Sequence, residues 1–274
     1  MVRKNEREGY IIGLDLGSTA AKMAVFSSGR KRFVQLKECP AHKYRELYEE
    51  ALDIASVQSI FCTGYHRNSV PSGGTITEIV AASTWAKKRY PNTEVIIDIG
   101  GQDIKIIDIP RNDFRLNDKC SAGTGAFLEL FASRFGVEVS ELGNLHKKST
   151  SPASITSTCA VFALSEVISL SVQGVRIEDI VAGLHKALAK RIFSFVPERI
   201  KEMSKSRRNQ DASAKLKKSS SVEKETGVIC IGGPAMNTGL VSALKDVLGL
   251  EIKVPKNPKF VNAMGAALFF VDNI

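Results

Sequence analysis

Two aspartates in this chain each follow an apolar stretch and precede a turn that contains glycine. The first stretch, GLDLGSTAAK, carries Asp15, and the second, DIGGQD, carries Asp98. A carboxylate at such a place can hold Mg²⁺ or its water ligands, while backbone N–H groups, hydroxyls and a lysine bind phosphate oxygens. Together the turns predict a cleft that holds a polyphosphate and its Mg²⁺ from two sides. The residues expected to contact the phosphates or shape the turns are Gly17, Ser18, Thr19, Lys22, Gly100, Gly101, Gln102 and Asp103.

A third glycine turn, IGGPAMN, follows an apolar stretch near the end of the chain. At Gly232 and Gly233, next to Pro234, the lack of side chains would let a base or ribose lie against the backbone. Most turns with two glycines after a strand are only turns. The prediction of an adenosine-binding segment therefore rests on the three turns together, in this order.

The elements around these turns alternate between strands and helices. An apolar strand, an Asp, a glycine turn and a second strand occur at 10–28 and again at 94–109, about eighty residues later, which predicts a duplicated α/β half-domain. We expect a first half at 1–90 and a second at 91–274, with a C-terminal helix at about 260–274 packing back on the first half. Further helices are expected at 117–131, 160–172 and about 177–203, and a short strand at 251–255. Small residues in EIVAASTWA and NAMGAALFF would let two helices cross closely.

Two of the five cysteines stand ahead of predicted helices rather than inside apolar runs. Cys120 lies in NDKCSAGTGAFLELF and Cys159 in STCAVFALSEVIS, after the candidate N-caps Thr156, Ser157 and Thr158. The N-terminus of a helix stabilises a thiolate through its N–H groups and dipole. A cuboidal iron–sulfur cluster needs four thiolates, and a two-fold dimer would supply two from each chain. Either cysteine alone is more simply a buried structural residue, whereas the pair favours a shared cluster. Cys39, Cys62 and Cys230 lie in or beside apolar strands and are interpreted as structural.

Charge and hydropathy limit the possible partners. The formal net charge is +9, and the Ser- and Lys-rich segment 201–226 contributes eight Lys/Arg against four Asp/Glu, which is typical of a solvated surface insertion. The remaining charge is scattered without interleaved aromatic residues, so no nucleic-acid binding is expected. No apolar run reaches membrane-spanning length and no secretion signal is apparent. We therefore expect a cytoplasmic protein that does not contact a membrane.

The three turns and the two helices with small residues resemble the signature of the ASKHA superfamily (actin, sugar kinases, Hsp70). Within it, the chain resembles the ATP-dependent activators of 2-hydroxyacyl-CoA dehydratases, a family that includes the ATPase subunits of benzoyl-CoA reductase. The resemblance covers nearly the whole chain and is carried by GLDLGSTAAK, CTGYHRNS, VIIDIGGQDIKII, NDKCSAGTG, STCAVFALSEVIS, GGPAMN and NPKFVNAMGAALF. The chain departs from the family at His66, where a T-G-Y-G-R pattern usually has Gly, and in its 201–226 insertion, which is longer than is typical.

The resemblance implies a ribonuclease H-like α/β fold, duplicated, with ATP in the cleft between its halves. It implies that Cys120 and Cys159 bind one [4Fe-4S] cluster across a homodimer, and that ferredoxin or flavodoxin reduces it. Hydrolysis of ATP to ADP would then drive the electron to a CoA-ester dehydratase or reductase. The candidate catalytic residues are Asp15, Asp98 and Gln102, with Asp15 also the candidate Mg²⁺ ligand.

Two other functions stay open at this point. One is a small-molecule kinase on the same fold, for which only about seventy residues between the first two turns leave little room for a substrate-binding subdomain, and which has no use for the two cysteines. The other is a nucleotide-binding regulator that does not hydrolyse ATP.

Overall fold

A computed structural model describes residues 9–156, 159–202, 204–205 and 227–271 of the chain. The chain divides into two compact units. The first comprises residues up to Pro91 together with those from Lys259 onward, and the second is Asn92–Pro258. The helices, in chain order, are α1 (Tyr44–Leu52), α2 (Glu78–Arg89), α3 (Gly125–Phe135), α4 (Leu142–Lys147), α5 (Ala160–Val172), α6 (Ile177–Phe195), α7 (Thr238–Leu248) and α8 (Val261–Val271).

The first unit is built on a five-stranded sheet with the order β3-β2-β1-β4-β5. Its strands are β1 (Tyr10–Leu16), β2 (Ala20–Ser27), β3 (Arg32–Pro40), β4 (Val57–Thr63) and β5 (Gly74–Thr75). β1 reads as a nearly continuous apolar run because both of its faces are covered. Its alternate residues Ile12, Leu14 and Leu16 belong to one core with Leu47 of α1. Gly13, on the opposite face, lies so close to the backbone of Ala263 in α8 that a side chain there would collide with it.

The second unit contains a four-stranded sheet with the order β8-β7-β6-β9. These strands are β6 (Val95–Ile99), β7 (Ile104–Asp108), β8 (Asp113–Asn117) and β9 (Val228–Ile231). Side chains of β6 and β7 form one core with α3, α6 and α7, in which Phe131 is among the largest fully buried residues. This core fixes the start of α3 relative to the turn between β6 and β7.

The two units repeat one strand arrangement, which confirms the predicted duplication. In each sheet the first three strands are antiparallel neighbours and the fourth pairs in parallel with the first. The register repeats as well, because Asp15 pairs with Lys22 and Asp98 pairs with Lys105. Both aspartates thus stand next to a lysine on the adjacent strand.

Helices α2 and α8 cross closely in the first unit, as their small residues predicted. A Cβ atom on Gly265 would lie 2.0 Å from the carbonyl oxygen of Ala81. α2 begins at a Thr77 N-cap, whose side chain accepts a hydrogen bond from the Val80 N–H group. The backbones of the two helices can therefore approach in a way that larger side chains would prevent.

Three predicted elements differ from the structure. The helix expected at 117–131 is wrong in its bounds, since β8 ends at Asn117 and α3 begins only at Gly125. The helix expected to run to about 203 is interrupted: α6 ends at Phe195, because Pro197 drives the preceding residue into extended backbone, and helical residues resume at 198. Residues 251–255 form only a single bridge, between Ile229 and Lys253, instead of a strand.

Parts of three predicted segments fall outside the described residues. These are most of the basic segment 201–226, the candidate N-caps Ser157 and Thr158, and the last three residues of the predicted C-terminal helix. Across the described ranges, no helix is both long and apolar enough to cross a bilayer.

Candidate functional site

The turn after β1 places a buried carboxylate beside a lysine. Asp15 is 4% exposed, and its Oδ2 lies 3.4 Å from the Nζ of Lys22, which also donates to the Ala20 carbonyl. The other oxygen, Oδ1, is buried and has no hydrogen-bond partner among the described residues. A carboxylate with one such oxygen fits a site whose remaining ligand is a cation, a water or a phosphate hydroxyl. Gly17 shapes the turn, and Ser18 and Thr19 are exposed on it.

The turn after β6 repeats this arrangement with a second lysine. Asp98 and Lys105 are both buried, and the Nζ of Lys105 lies 2.5 Å from Oδ2 of Asp103. The Gly100 N–H group donates to the Asp103 carbonyl at 2.9 Å and closes the turn, on which Gln102 is exposed. The second turn thus repeats the first in placing an aspartate at the end of a strand and a buried lysine on the return strand.

The start of α3 is attached directly to that turn. The N–H group of Gly125 donates to the Gly100 carbonyl at 2.9 Å, and that of Ala126 donates to the Gly101 carbonyl at 2.8 Å. These two N–H groups are normally unpaired at the start of a helix. The start of α3 is therefore occupied by the backbone of the turn rather than open to a cysteine.

The third glycine turn follows β9 and combines a strained position with an open one. Gly232 has a φ of 92°, and its N–H group donates to the Pro258 carbonyl. Gly233 has ordinary helical angles, and a Cβ atom there would meet no described atom within 4 Å. Pro234 then begins a short 3₁₀ turn that leads to Asn237, the N-cap of α7. The open backbone at Gly233 is the part of this turn that a flat ligand could contact.

The two candidate cluster cysteines differ in their position relative to the start of a helix. Cys159 is the N-cap residue of α5 and is half-buried, as expected for a thiol at the start of a helix. Cys120 is also half-buried, but it lies five residues before α3 and its carbonyl accepts a hydrogen bond from Asn117. The predicted helix-start position is therefore right for Cys159 and wrong for Cys120.

The expected cap at Thr156 is also wrong. Its N–H group and its hydroxyl donate to the two carboxylate oxygens of Glu166, at 2.9 and 2.7 Å. This pair of bonds fixes the segment before Cys159 against the second turn of α5. Thr156 thus positions the cysteine without capping the helix.

Helix α5 exposes four large apolar side chains to solvent. Val161, Phe162 and Val172 are 69%, 66% and 84% exposed, while only Ala163 and Val167 are buried. Monomeric proteins rarely expose apolar side chains this densely on one helix. The exposed side chains of α5 therefore form a candidate protein contact surface that begins next to Cys159.

The other three cysteines have the properties of structural thiols. Burial raises the pKa of Cys62 to about 11, and burial together with the nearby charge of Asp98 raises the pKa of Cys230 still further above its usual value. Burial likewise raises the pKa of Cys39. Thiolates are the form that binds metal, so these residues are poor candidates for ligands.

Comparison with known proteins identifies the family. Residues 12–269 match the model of the BadF/BadG/BcrA/BcrD ATPase family. The chain belongs to this ATPase family. It is 36% identical to the 2-hydroxyisocaproyl-CoA dehydratase activator of Clostridioides difficile, over 96% of this chain and 95% of that protein. It is 35% identical to the (R)-2-hydroxyglutaryl-CoA dehydratase activating ATPase of Acidaminococcus fermentans, over 95% of this chain and 96% of that protein.

Solved structures give the same relationship. The structure of the Clostridium difficile activator with bound ADPNP has a TM-score of 0.77 at 34% identity and covers 96% of this chain and 95% of its own. Component A of the Acidaminococcus fermentans (R)-2-hydroxyglutaryl-CoA dehydratase has a TM-score of 0.78 at 33% identity, over 95% and 97% of the two chains. The fold is the actin/Hsp70/sugar-kinase-like ASKHA fold that the sequence predicted.

Two buried polar residues of this ATPase were missed by sequence reasoning. Lys105 stands in the second repeat where Lys22 stands in the first, and the identical spacing from Asp98 and Asp15 could have revealed it. Thr63 ends β4 beside Asp15, and its Oγ1 is buried and has no hydrogen-bond partner within the described part of the chain. No sequence pattern signalled Thr63, because its place depends on pairing between strands that are distant in the chain.

A series of hydrogen-bonded polar side chains also connects to the segment after the third glycine turn. Asn237 accepts two backbone hydrogen bonds at its Oδ1, so its Nδ2 is the donor toward Nε2 of His185, 3.1 Å away. That leaves Nδ1 of His185 as the protonated nitrogen, which donates to Nδ1 of His146 at 3.2 Å. Burial, together with the neighbouring His146, lowers the pKa of His185 to about 3. His185 is therefore neutral and rigidly oriented.

Proposed function

We propose that this chain is an ATP-hydrolysing one-electron donor that forms a homodimeric [4Fe-4S] protein. In this proposal it activates a 2-hydroxyacyl-CoA dehydratase or a related CoA-ester reductase, after a ferredoxin or flavodoxin has reduced it. Membership of the ATPase family supports the ATP hydrolysis in the first part of this proposal. The names of two full-length relatives, a dehydratase activator and a dehydratase activating ATPase, support the second.

The nucleotide is proposed to bind at the three glycine turns. Asp15 and Asp98 would hold Mg²⁺ and orient the attacking water, and Gln102 is the third candidate catalytic residue. Lys22 and the turn residues Gly17, Ser18, Thr19, Gly100, Gly101 and Asp103 bind the phosphates, and Gly232, Gly233 and Pro234 lie against the adenosine. The buried and unpartnered Oδ1 of Asp15 fits this role. Mg²⁺ would supply charge neutralisation of the phosphates, and hydrolysis needs little more than such positioning.

The cluster is proposed to be held by Cys120 and Cys159 of each of two chains. Among the described residues no three His, Cys, Asp or Glu side chains are grouped as a metal site, and two thiolates from one chain are half of the four that a cuboidal cluster needs. Cys159 stands at the start of α5, where peptide N–H groups favour an anionic cluster. The exposed apolar side chains of α5 supply a surface on which a second copy could pack. The donor set thus fits half of a shared cluster.

The observation that carries the proposal is the attachment of α3 to the phosphate turn. Two hydrogen bonds join Gly125 and Ala126 to the carbonyls of Gly100 and Gly101. Cys120 lies only five residues earlier in the same segment. A nucleotide that favours one position of the turn would therefore also favour one position of this cysteine, as a coupled two-state element requires.

The experiment follows electrons and ATP in the same sample. The reduced wild-type protein is expected to hydrolyse ATP and to activate an added 2-hydroxyacyl-CoA dehydratase. The electron paramagnetic resonance signal of its reduced cluster should disappear as the electron is transferred. Asp98→Asn should lower hydrolysis about 100-fold by removing the charge that positions the metal and water, and Asp53→Asn, at an exposed residue after α1, should match wild type. ATP turnover that requires an added sugar or organic acid would contradict the proposal and indicate a kinase.

A further inference from the structure

Thr63 and Asp15 occupy neighbouring positions at the ends of two parallel strands. They are register partners in the β1–β4 pair, so their side chains project from the same face of the sheet. Thr63 is fully buried and Asp15 nearly so. Each has one buried oxygen, Oγ1 and Oδ1 respectively, that finds no hydrogen-bond partner in the described ranges.

Two unpartnered oxygens side by side call for a physical explanation. Native proteins leave few buried polar side-chain atoms unpaired, because each such atom loses its hydration without compensation. A direct bond between the two would satisfy both, yet none is formed. The two oxygens therefore form a candidate binding site for a small polar ligand that hydrogen-bonds to both.

The residues around Thr63 and Asp15 leave Oδ1 of Asp15 available to such a ligand. Lys22 binds the opposite oxygen of the carboxylate, Oδ2, and leaves Oδ1 unused. Gly64, which follows Thr63, has a φ of 95°, and a Cβ atom there would lie 2.7 Å from Oδ1 of Asp15. A side chain at position 64 would thus cover the same oxygen that Thr63 neighbours, and the glycine prevents this.

We propose that Thr63 is a positioning residue of the nucleotide site, whose hydroxyl and Oδ1 of Asp15 together hold one water of the Mg²⁺ that accompanies the nucleotide. The inference rests on the proposed ATP site. Mg²⁺ usually keeps several of its waters when it binds to proteins and phosphates. A threonine hydroxyl both donates and accepts, so it can bind a water whose hydrogens point to the carboxylate. Thr63 thereby fixes the direction in which Asp15 presents its charge.

The test compares Thr63→Val, which keeps the shape but removes the hydroxyl, with Thr63→Ser, which keeps the hydroxyl. Calorimetry measures binding of ADP with Mg²⁺ and of ADP with a chelator, and thermal unfolding is measured without ligand. For Thr63→Val we expect binding of Mg²⁺–ADP to weaken about tenfold, or about 1.4 kcal/mol. Binding of metal-free ADP should not change, and Thr63→Ser should bind Mg²⁺–ADP within about twofold of wild type.

The unfolding temperature separates this role from a structural one. Ligand-free Thr63→Val should unfold at the wild-type temperature or higher, because an unpaired buried hydroxyl is replaced by a methyl group. A lower temperature, or equal Mg²⁺–ADP affinity in wild type and Thr63→Val, would overturn the inference. So would an equal loss of affinity with and without the metal. Failure of the wild-type protein to bind Mg²⁺–ADP at all would instead overturn the proposed ATP site and, with it, this inference.

Discussion

The two glycines of the third turn should respond in opposite ways to the same added methyl group. A Cβ atom on Gly232 would lie 2.1 Å from the carbonyl oxygen of Ile99 and 3.1 Å from Oδ1 of Asp98. On Gly233 it would meet no described atom within 4 Å. Adjacent positions thus provide a test of packing and a matched control.

Gly232→Ala is expected to destabilise the protein by about 2–5 kcal/mol. The positive φ of 92° costs an L-residue about 1–2 kcal/mol. The collision with β6 costs about 1–3 kcal/mol more, because the strand end must move for the methyl group to fit. The displaced strand end carries Asp98, so ATP hydrolysis should fall as well.

Gly233→Ala should leave the fold intact or stabilise it. Its φ of −60° and ψ of −50° suit alanine, and the loss of freedom in the unfolded chain favours folding by about 0.4–1 kcal/mol. If adenosine lies against this backbone, the methyl group should weaken nucleotide binding about tenfold, or about 1.4 kcal/mol.

Urea unfolding without nucleotide and calorimetric titration with ADP measure both effects. Equal stabilities of the two variants would refute the close packing of Gly232 against β6. A stable Gly233→Ala protein that binds ADP as wild type does would refute the adenosine assignment of this turn.

Three further predictions concern other parts of the chain. Because the pKa of His185 is lowered to about 3, its imidazole is protonated in the unfolded chain but not in the folded chain between about pH 6.5 and about pH 3. The free energy of unfolding measured with urea should therefore fall by about 1.4 kcal/mol for each pH unit over this range. His185→Leu should lose this dependence on pH. Lys105→Met removes a buried cation beside Asp103 and should weaken ATP binding about tenfold in calorimetry. The control Lys245→Met, which removes an exposed ion pair of similar length, should bind ATP as wild type does. Equal ATP affinities of Lys105→Met and wild type would exclude a role for Lys105. Phe162→Glu on the exposed surface of α5 should convert the proposed dimer to monomers in sedimentation, and Val34→Glu on β3 should not; a Phe162→Glu dimer would place the interface elsewhere.

The sequence predicted those features that depend on local pattern. The apolar run before Asp15, its glycine turn and the return strand were all confirmed, because apolar runs and turn residues act over short distances. The repeat of this unit at Asp98 was confirmed for the same reason.

Features that depend on tertiary pairing were beyond the sequence pattern. β8 was missed because it is a short, largely exposed strand at a sheet edge, and its omission moved the predicted helix start onto Cys120. Thr63 was missed because only the parallel pairing of β1 with β4 brings it beside Asp15. Thr156 was taken for a cap because threonine favours that position, whereas Glu166 attracts its N–H group and hydroxyl.

We propose that two copies of this chain share one cluster through Cys120 and Cys159. Anaerobic purification followed by iron and sulfide analysis tests it most directly, with Cys39→Ser as the control thiol. The wild-type protein should contain about four irons and about four sulfides for every two chains. Cys39→Ser should retain them, and Cys120→Ser and Cys159→Ser should lose them. A colourless, iron-free wild-type protein whose Cys120→Ser variant behaves identically would contradict it.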